Sequence, residues 1–243
     1  MKRIFLADVS GSEVTIGGDD AHHLAYSLRA KRGDKITAVD ANDNCAVIEL
    51  VDFERDKITA RRISELQPVV VEREIILADC LPKQNRFDTI IEKSTELGVA
   101  KIEPLISDNT IARPNEIRAK TKLERWRKIA KEAAEQCARD TIPEISELRG
   151  LDDWLKEPLA DDTLLLFCWE SEQTTTVREV LSDYRATGGG KIIVLIGPEG
   201  GFSQREVDAI KSAGGKSVTL GKRVLKTDTA AISVLAMINY EFM

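Results

Sequence analysis

Histidine and cysteine are scarce in this chain, which has two histidines and four cysteines among 243 residues. The cysteines lie far apart, and no two of them form a CxxC pair. Structural zinc sites and disulfide frameworks both depend on such clusters. We therefore predict no metal site, and we expect the cysteines to be small buried side chains in a reduced, cytoplasmic protein.

Long hydrophobic runs are also missing. No segment reaches the roughly 18 apolar residues that a membrane-spanning helix needs. Lys2 and Arg3 begin the chain as in a secretory signal, but Asp8 follows before any apolar stretch. We expect no membrane partner, and a hydrophobic content of 42% is enough for the core of one large or two ordinary domains.

An overall excess of positive charge, the usual mark of a nucleic-acid-binding protein, is absent because the net charge is -6. The basic residues are nevertheless clustered. Between Arg113 and Lys131, eight basic residues stand against Glu116 and Glu124, and a smaller cluster lies around residues 29–35. Such runs fit a solvated helix face or a surface for phosphate groups equally well.

The first 67 residues have the pattern of a small β-barrel. Short β-forming runs alternate with Gly, Asn and Asp, and one helical segment is expected at about residues 21–29. The predicted strands are Ile4–Val9, Ile36–Val39, Ala46–Leu50 and Lys57–Ile63. Pro68 opens a linker, so we place a domain boundary near residues 68–74.

Strands and helices alternate after this boundary, which predicts a mostly parallel sheet covered by helices. The predicted strands are Ile75–Cys80, Ile102–Ile106, Leu164–Cys168, Ile192–Ile196 and Ser217–Leu220. Ser203 and Glu206 form a capping box that predicts a helix start. The last helix, from about Asp228, is apolar nearly all round, so its own domain or a second subunit must enclose it.

The loop GPEGG after Ile196 fits neither common nucleotide-binding motif, since GxGxxG and GxxxxGK[ST] are both absent there. It also contains Glu199, whose carboxylate would repel a polyphosphate. A second glycine loop follows Leu220 and contains Arg223 and Lys226. Such loops at successive strand ends would form the mouth of a parallel sheet, where α/β folds bind ligands, although each could also be an ordinary turn.

The segments IGPEGGFSQREVDAI and LGKRVLKTDTA together resemble the two C-terminal signatures of the rRNA uridine-N3 methyltransferases of the SPOUT superfamily, the RsmE family. Further matches are LPKQNRFDTIIEKSTELGV, AAEQCARDTIPEI and HHLAYSLRAKRGDKI. The resemblance spans nearly the whole chain, and several motifs in one order are far more specific than a single glycine loop.

This resemblance implies an α/β protein of two domains. Residues 1–70 would form a PUA-like RNA-binding β-barrel, and residues 73–243 a SPOUT domain with a mostly parallel sheet and a C-terminal trefoil knot, an exception to the rule against knots. The family is expected to be an obligate homodimer with S-adenosylmethionine bound in the knot by three loops. The cofactor-binding residues would be Leu195, Ile196, Gly197, Glu199, Gly200, Gly201, Leu220, Gly221, Val224 and Leu225.

The implied reaction is methyl transfer to N3 of a uridine in 16S rRNA, near the decoding centre of the small ribosomal subunit. This nitrogen carries a proton in the neutral base, so an acceptor and nearby cations are needed. We expect Arg223 and Lys226 to stabilise charge and Asp228 or Glu199 to accept the proton. Expected RNA contacts are Arg3, Arg29, Arg32, Lys83, Arg86 and Lys93.

The sequence departs from the family's LRxETA pattern at Lys226 and Asp228, where the family has Arg and Glu. Both changes keep the charge, but lysine lacks the two-pronged guanidinium of arginine. Two alternatives stay open. One is a non-catalytic RNA-binding ribosome-assembly factor with the same fold, and the other is a nucleotide-dependent α/β enzyme, which Glu199 disfavours.

Overall fold

The computed structural model of the chain describes residues 2–42, 44–55, 57–67 and 73–242. The chain forms two compact units, residues 1–70 with 131–142, and residues 71–130 with 143–243. Most of the boundary predicted near residues 68–74 lies outside the described residues. The segment 131–142, which the sequence had not assigned to the first unit, belongs to it.

The first unit contains a five-stranded sheet in the order β1-β3-β4-β5-β2. β1 pairs with β3 in parallel, and the other pairs are antiparallel. The strands are β1 (Arg3–Phe5), β2 (Glu13–Gly17), β3 (Lys35–Val39), β4 (Cys45–Phe53) and β5 (Lys57–Leu66). Four of them lie where the sequence predicts strands, although β1 ends at Phe5, before the predicted Val9, and Asp8 accepts the Ser10 N–H at 2.8 Å in the turn that follows.

Strand β2 was not predicted. Only Val14 and Ile16 are buried in it, and the flanking Glu13, Thr15 and Gly17 are exposed. Two apolar residues beside a Gly-Ser turn are too weak a pattern to distinguish a strand from a loop. Helix α1 (Gly18–His22) follows β2 directly and continues into a π-helical turn, His23–Ser27, where the sequence predicts one helical segment.

The second unit is built on a parallel sheet, as predicted, in the order β12-β10-β11-β6-β7-β8, with β9 also paired to β7. Its strands are β6 (Glu74–Cys80), β7 (Lys101–Ile106), β8 (Glu144–Ile145), β9 (Arg149–Gly150), β10 (Thr163–Cys168), β11 (Lys191–Ile196) and β12 (Lys216–Val218). β12 ends before the predicted Leu220 because Thr219 and Leu220 join the loop that follows it.

Helices cover both faces of this sheet, so its strands are apolar on both sides. They are α2 (Arg86–Glu96), α3 (Glu116–Gln136, of which residues 131–136 belong to the first unit), α4 (Leu151–Trp154), α5 (Val177–Ala186), α6 (Gln204–Ser212) and α7 (Thr227–Phe242). Ile75 and Leu77 of β6 pack with the side chains of α2, α5 and α7. Ile76 and Ala78 pack on the other face with α4 and α6. Among the described residues, no helix is long and apolar enough to cross a bilayer.

Local signals explain several helix ends. The capping box predicted for α6 is present, because Ser203 accepts the Glu206 N–H and Glu206 accepts the Ser203 N–H. A second box, formed by Thr176 and Glu179, starts α5. Gly98 follows α2 with a φ of 87°, in the left-handed region that glycine adopts without steric cost.

Candidate functional site

A cavity of about 440 Å³ opens where three loops follow neighbouring strands of the parallel sheet. It is lined by residues 168–170 after β10, residues 196–202 after β11, and residues 218–227 with Ala230 around the loop after β12. The two glycine loops predicted to be neighbours are therefore walls of one cavity. The carboxyl ends of parallel strands are the usual position of ligand sites in α/β folds.

The loop after β11 has glycine where side chains would collide with the cavity wall. A Cβ atom on Gly197 would lie 3.1 Å from the Phe202 ring, and one on Gly201 would overlap the carboxylate of Glu170. Gly201 also has a φ of 67°, which side-chain-bearing residues rarely adopt. This loop thus exposes its backbone to the cavity and leaves room for a ligand close to it.

Glu199 in the middle of this loop is held by residues at the start of α2. Its carboxylate accepts the Lys83 N–H at 2.9 Å and contacts the Arg86 guanidinium at 3.3 Å. Glu199, which disfavours a polyphosphate ligand, therefore connects this loop to residues 83–86, which lie more than 100 residues earlier in the sequence. The role of proton acceptor predicted for Glu199 remains a prediction, and these contacts already occupy one of its oxygens.

The loop after β7 supports the glycine loop from the other side. The Asn109 side-chain amide donates to the carbonyl oxygens of Gly200 and Gly201, both at 3.1 Å. Asp108 accepts hydrogen bonds from Ser203 at 2.6 Å and Arg205 at 2.8 Å, which lower the pKa of its carboxyl group. Sequence reasoning missed these residues, although they follow a buried strand just as GPEGG does.

The loop after β10 is fixed by Glu172. Its carboxylate accepts hydrogen bonds from the Ser217 hydroxyl at 2.7 Å and from the backbone and hydroxyl of Thr174. Together these bonds lower the pKa of Glu172 to about 2. Cys168 lines the cavity, and burial raises the pKa of its thiol to about 12, so it remains protonated and unreactive.

Arg223 and Lys226 are exposed residues of the cavity wall. Neither side chain forms an ion pair or hydrogen bond with another residue in the part of the chain that the structure describes. Gly221 precedes them with a φ of 110°. Two unpaired cations in one cavity wall are available for a ligand that carries or develops negative charge.

Asp79 and Thr227 are buried polar residues near this cavity that the sequence did not single out. Asp79 lies in β6 opposite Ile196 and is fully buried, and neither carboxyl oxygen has a hydrogen-bond partner among the described residues. Burial raises its pKa well above the ordinary value, and the carboxylates of Glu199 and Asp228 raise it further. Thr227 lines the cavity, and its buried hydroxyl also lacks a partner among the described residues.

The predicted cofactor-binding residues lie in the cavity wall with one exception. Leu195 packs in the buried cluster with Phe167 and Phe202 and does not line the cavity. Asp228 does not line it either and lies in the first turn of α7, where its Oδ1 accepts the Thr229 N–H at 2.9 Å. Over the described ranges, no group of three or more His, Cys, Asp or Glu side chains could hold a metal ion.

Residues 71–239 match the family model of the RNA methyltransferase domain. The chain belongs to this RNA methyltransferase family. A relative from Bacillus subtilis, named ribosomal RNA small subunit methyltransferase E, is 29% identical over 93% of this chain and 90% of its own length. A relative of the same name from Synechocystis is 30% identical over 93% of this chain and 72% of its own length.

Solved structures agree with this family assignment. The ribosomal RNA small subunit methyltransferase E of Neisseria gonorrhoeae, crystallised with S-adenosylmethionine, has a TM-score of 0.87 and 28% identity, covering 99% of this chain and 97% of that one. A putative methyltransferase from Legionella pneumophila, also with the bound cofactor, has a TM-score of 0.82 and 26% identity, covering 98% and 96% of the two chains.

The basic residues expected to bind RNA in this methyltransferase differ in their exposure and in whether a carboxylate already pairs with them. Arg29, Arg32 and Lys83 are exposed. Three others have protein partners in the structure: Arg3 is mostly buried against Asp140, Arg86 contacts Glu199, and Lys93 pairs with Glu92 and Glu96. The long basic helix α3 is also partly neutralised, for example by the 2.5 Å pair of Arg125 with Asp88.

Proposed function

We propose that this RNA methyltransferase transfers a methyl group from S-adenosylmethionine to N3 of a uridine in 16S rRNA, near the decoding centre of the small ribosomal subunit. The names of the relatives support the substrate class and the reaction. The observation in the structure that carries the proposal is the cavity of three strand-end loops with the unpaired Arg223 and Lys226 in its wall.

The residues of the cavity fit this cofactor. Its volume of about 440 Å³ lies within the usual range for small-molecule sites. The wall combines glycine backbone with apolar Ile196, Leu220 and Leu225, and the buried Thr227 hydroxyl is a polar atom that a ligand could satisfy. These residues, with Gly197, Gly200, Gly201 and Gly221, would hold S-adenosylmethionine, which supplies an electrophilic methyl group when bound.

The protein must remove the N3 proton of uracil and stabilise the negative charge that spreads to the two ring carbonyls. Arg223 and Lys226 supply that stabilisation. Asp228, which follows the cavity-lining Thr227, and Glu199, which lines the cavity itself, are the two candidate proton acceptors. Glu199 is held by Lys83 and Arg86, whereas Asp228 accepts only the Thr229 N–H among the described residues, so Asp228 has more accepting capacity left for a proton.

The second unit, residues 73–243, is proposed to be a SPOUT domain with a trefoil knot in its C-terminal part. After β11 the chain passes β10 to form β12, since the sheet order there is β12-β10-β11. Helix α7 then returns to pack against α2, α5 and β11. This path is the one expected of a chain that threads back through its own loops.

The exposed side of α7 supports a homodimer. Met237 and Tyr240 are 42% and 80% exposed, and Ala236 beside them is also exposed. Exposed apolar side chains on adjacent turns of one helix form a patch that a second subunit would cover. We assign this face of α7 to the subunit interface.

The first unit, residues 1–70, is proposed to be a PUA-like RNA-binding β-barrel, and the protein to act in the cytoplasm, where ribosomes are assembled. Arg29 and Arg32 of this unit and Lys83 of the second would contact phosphate groups, since their side chains are exposed. Arg3, Arg86 and Lys93 would contribute less directly, because carboxylates already pair with them.

The experiment that tests this function is nucleoside mass spectrometry of 16S rRNA after incubation of the purified protein and S-adenosylmethionine with small subunits from a strain that lacks the enzyme. Formation of N3-methyluridine supports the proposal. Subunit binding without any methylated nucleoside would instead identify a non-catalytic assembly factor. A parallel calorimetric titration with S-adenosylmethionine and with ATP separates the cofactor from a nucleotide.

A further inference from the structure

Tyr26 and His22 form an exposed aromatic pair in the first unit. Their ring centroids lie 4.5 Å apart with an angle of 32° between the planes. Tyr26 is 67% exposed, although aromatic residues make up only 5% of the chain. Among the described residues, Tyr240 is the other large aromatic side chain that is exposed, and it lies on the face of α7 assigned to the subunit interface.

The backbone around this pair is unusual. Tyr26 lies in the π-helical turn His23–Ser27, which ends with the Leu28 N–H donating to the His23 carbonyl at 3.0 Å. Arg29 then adopts a φ of 49°, a conformation that costs a non-glycine residue free energy. π-Helical turns and such strained residues occur often at functional sites.

The Tyr26 side chain does not contribute to the packing of the core. Ala21, Leu24 and Ala30 attach this segment to the sheet and are buried. The packing that anchors the segment is therefore complete without the exposed ring, which leaves a face of the aromatic pair open to solvent.

The charges next to the pair favour an anionic partner. Arg29, Lys31 and Arg32 follow it, all exposed and without an ion-pair partner among the described residues. Of the nearby carboxylates, Asp20 pairs with Lys131 at 2.7 Å, Asp34 accepts the backbone N–H of Lys31, and Asp19 is exposed, so the three cations outnumber the carboxylates that lack a cationic partner. An open aromatic face beside unpaired cations is the combination that binds single-stranded RNA, with bases stacked on rings and phosphates on the cations.

We infer that Tyr26, supported by His22, stacks against an unpaired base of the RNA substrate while Arg29, Lys31 and Arg32 bind the adjoining phosphates. This inference rests on the proposed function, because it assumes that the chain acts on RNA. It adds a contact that recognises an unpaired base, outside the cavity in which the methylated uridine would react.

The test is the affinity of the full-length protein for a short labelled oligocytidine, measured by fluorescence anisotropy. Oligocytidine has no uridine to enter the catalytic cavity, and its bases are unpaired. Tyr26→Ala should weaken binding by about 5- to 150-fold, the usual loss for one stacked base, whereas Tyr26→Phe should stay within about twofold of the wild type. Equal thermal unfolding of the two variants shows that the fold is kept.

The salt dependence of the RNA affinity distinguishes base stacking on Tyr26 from phosphate binding by the basic residues. Tyr26→Ala should lower the affinity by the same factor at every salt concentration, while Arg32→Ala should reduce the slope of log affinity against log salt by about 0.7. The inference is overturned if Tyr26→Ala binds oligocytidine as the wild type does, as expected if the pair contacts a protein instead. It is also overturned if Tyr26→Phe loses as much as Tyr26→Ala.

The same proteins are assayed for methylation of small subunits. This assay distinguishes a failure of the stacking contact from a failure of the proposed function. A wild-type protein that methylates 16S rRNA, together with a Tyr26→Ala variant of unchanged oligocytidine affinity, overturns the stacking contact alone. A wild-type protein that methylates no RNA overturns the proposed function on which the contact rests.

Discussion

The carboxylate of Glu206 accepts the backbone N–H of Asp108 at 2.7 Å, while its other oxygen accepts the N–H of Ser203 at 2.9 Å. One side chain, only 1% exposed, thus starts helix α6 and ties it to the loop after β7. The same loop supports the glycine backbone of the cavity through Asn109. Glu206 is therefore a structural link between the fold and the site.

Replacing Glu206 with Ala should lower the free energy of unfolding by about 2–4 kcal/mol, because two partly buried N–H groups lose a charged acceptor. The matched control is Glu179→Ala, which breaks the equivalent capping box of α5 at an exposed position and should cost about 1 kcal/mol. Urea unfolding measures both. Equal losses for the two variants would contradict the role of the Asp108 contact.

Gly201→Ala should weaken S-adenosylmethionine binding at least about tenfold, because the new Cβ would collide with the carboxylate of Glu170 in the cavity wall. Gly188→Ala is the matched control, since Gly188 has a similar φ of 72° but nothing within 4 Å of the added atom. Both variants should lose about 1 kcal/mol of stability from backbone strain. Calorimetric titration should show weakened binding for Gly201→Ala alone.

Arg223→Ala should lower the methylation rate constant on small subunits by about 100-fold or more, while S-adenosylmethionine binds within a few-fold of the wild type. The reason is that the guanidinium would act on charge that develops only during the reaction. Lys216→Ala removes an exposed cation outside the cavity and should leave the rate unchanged. An Arg223→Ala variant as fast as the wild type would exclude this residue from catalysis.

Lys226→Arg introduces the arginine of the LRxETA pattern, which this segment resembles. Because Lys226 is exposed and unpaired among the described residues, arginine can be accommodated there, and the methylation rate should be retained or rise several-fold. Lys226→Met, which keeps the length and removes the charge, should lower the rate about tenfold or more. Equal rates for the two variants, measured with small subunits, would show that the charge is not used.

Local patterns predicted most of the second unit. The apolar runs of β6, β10 and β11 are read directly from the sequence, and so are the glycine loops that follow β11 and β12. Contacts between distant segments could not be predicted in this way. Nothing in the sequence near Glu199 indicates that Lys83 and Arg86, more than 100 residues earlier, hold its carboxylate. Strand β2 and the place of segment 131–142 in the first unit likewise depend on tertiary pairing.

We expect a double variant on the exposed face of α7, Met237→Lys with Tyr240→Lys, to weaken self-association by about 100-fold or more. The reason is that two charges would be buried between the subunits. Sedimentation velocity over a range of concentrations measures the change. Ile63→Lys, which places a charge on an exposed apolar residue of β5, should leave association unchanged. A wild-type protein that stays monomeric would contradict the interface assignment itself.

Asp79 predicts an unusual dependence of stability on pH. Burial, aided by the neighbouring carboxylates of Glu199 and Asp228, raises its pKa well above the ordinary value of 3.8. A carboxyl group with a higher pKa in the folded chain binds more protons when folded. Its contribution to stability is therefore full below the unfolded pKa and is lost as the pH rises through the folded one.

Asp79→Asn places a neutral amide at the same position and removes this dependence. Near pH 4 the variant should unfold like the wild type. Above that pH the variant should be progressively more stable than the wild type. The difference in the free energy of unfolding should grow by up to about 1.4 kcal/mol per pH unit until the pKa of Asp79 in the folded wild type is passed. Urea unfolding between pH 4 and pH 8 measures the difference, with exposed Asp183→Asn on α5 as the control that should show none. A constant difference across this range would mean that Asp79 is already ionised in the folded protein, with a partner for its charge.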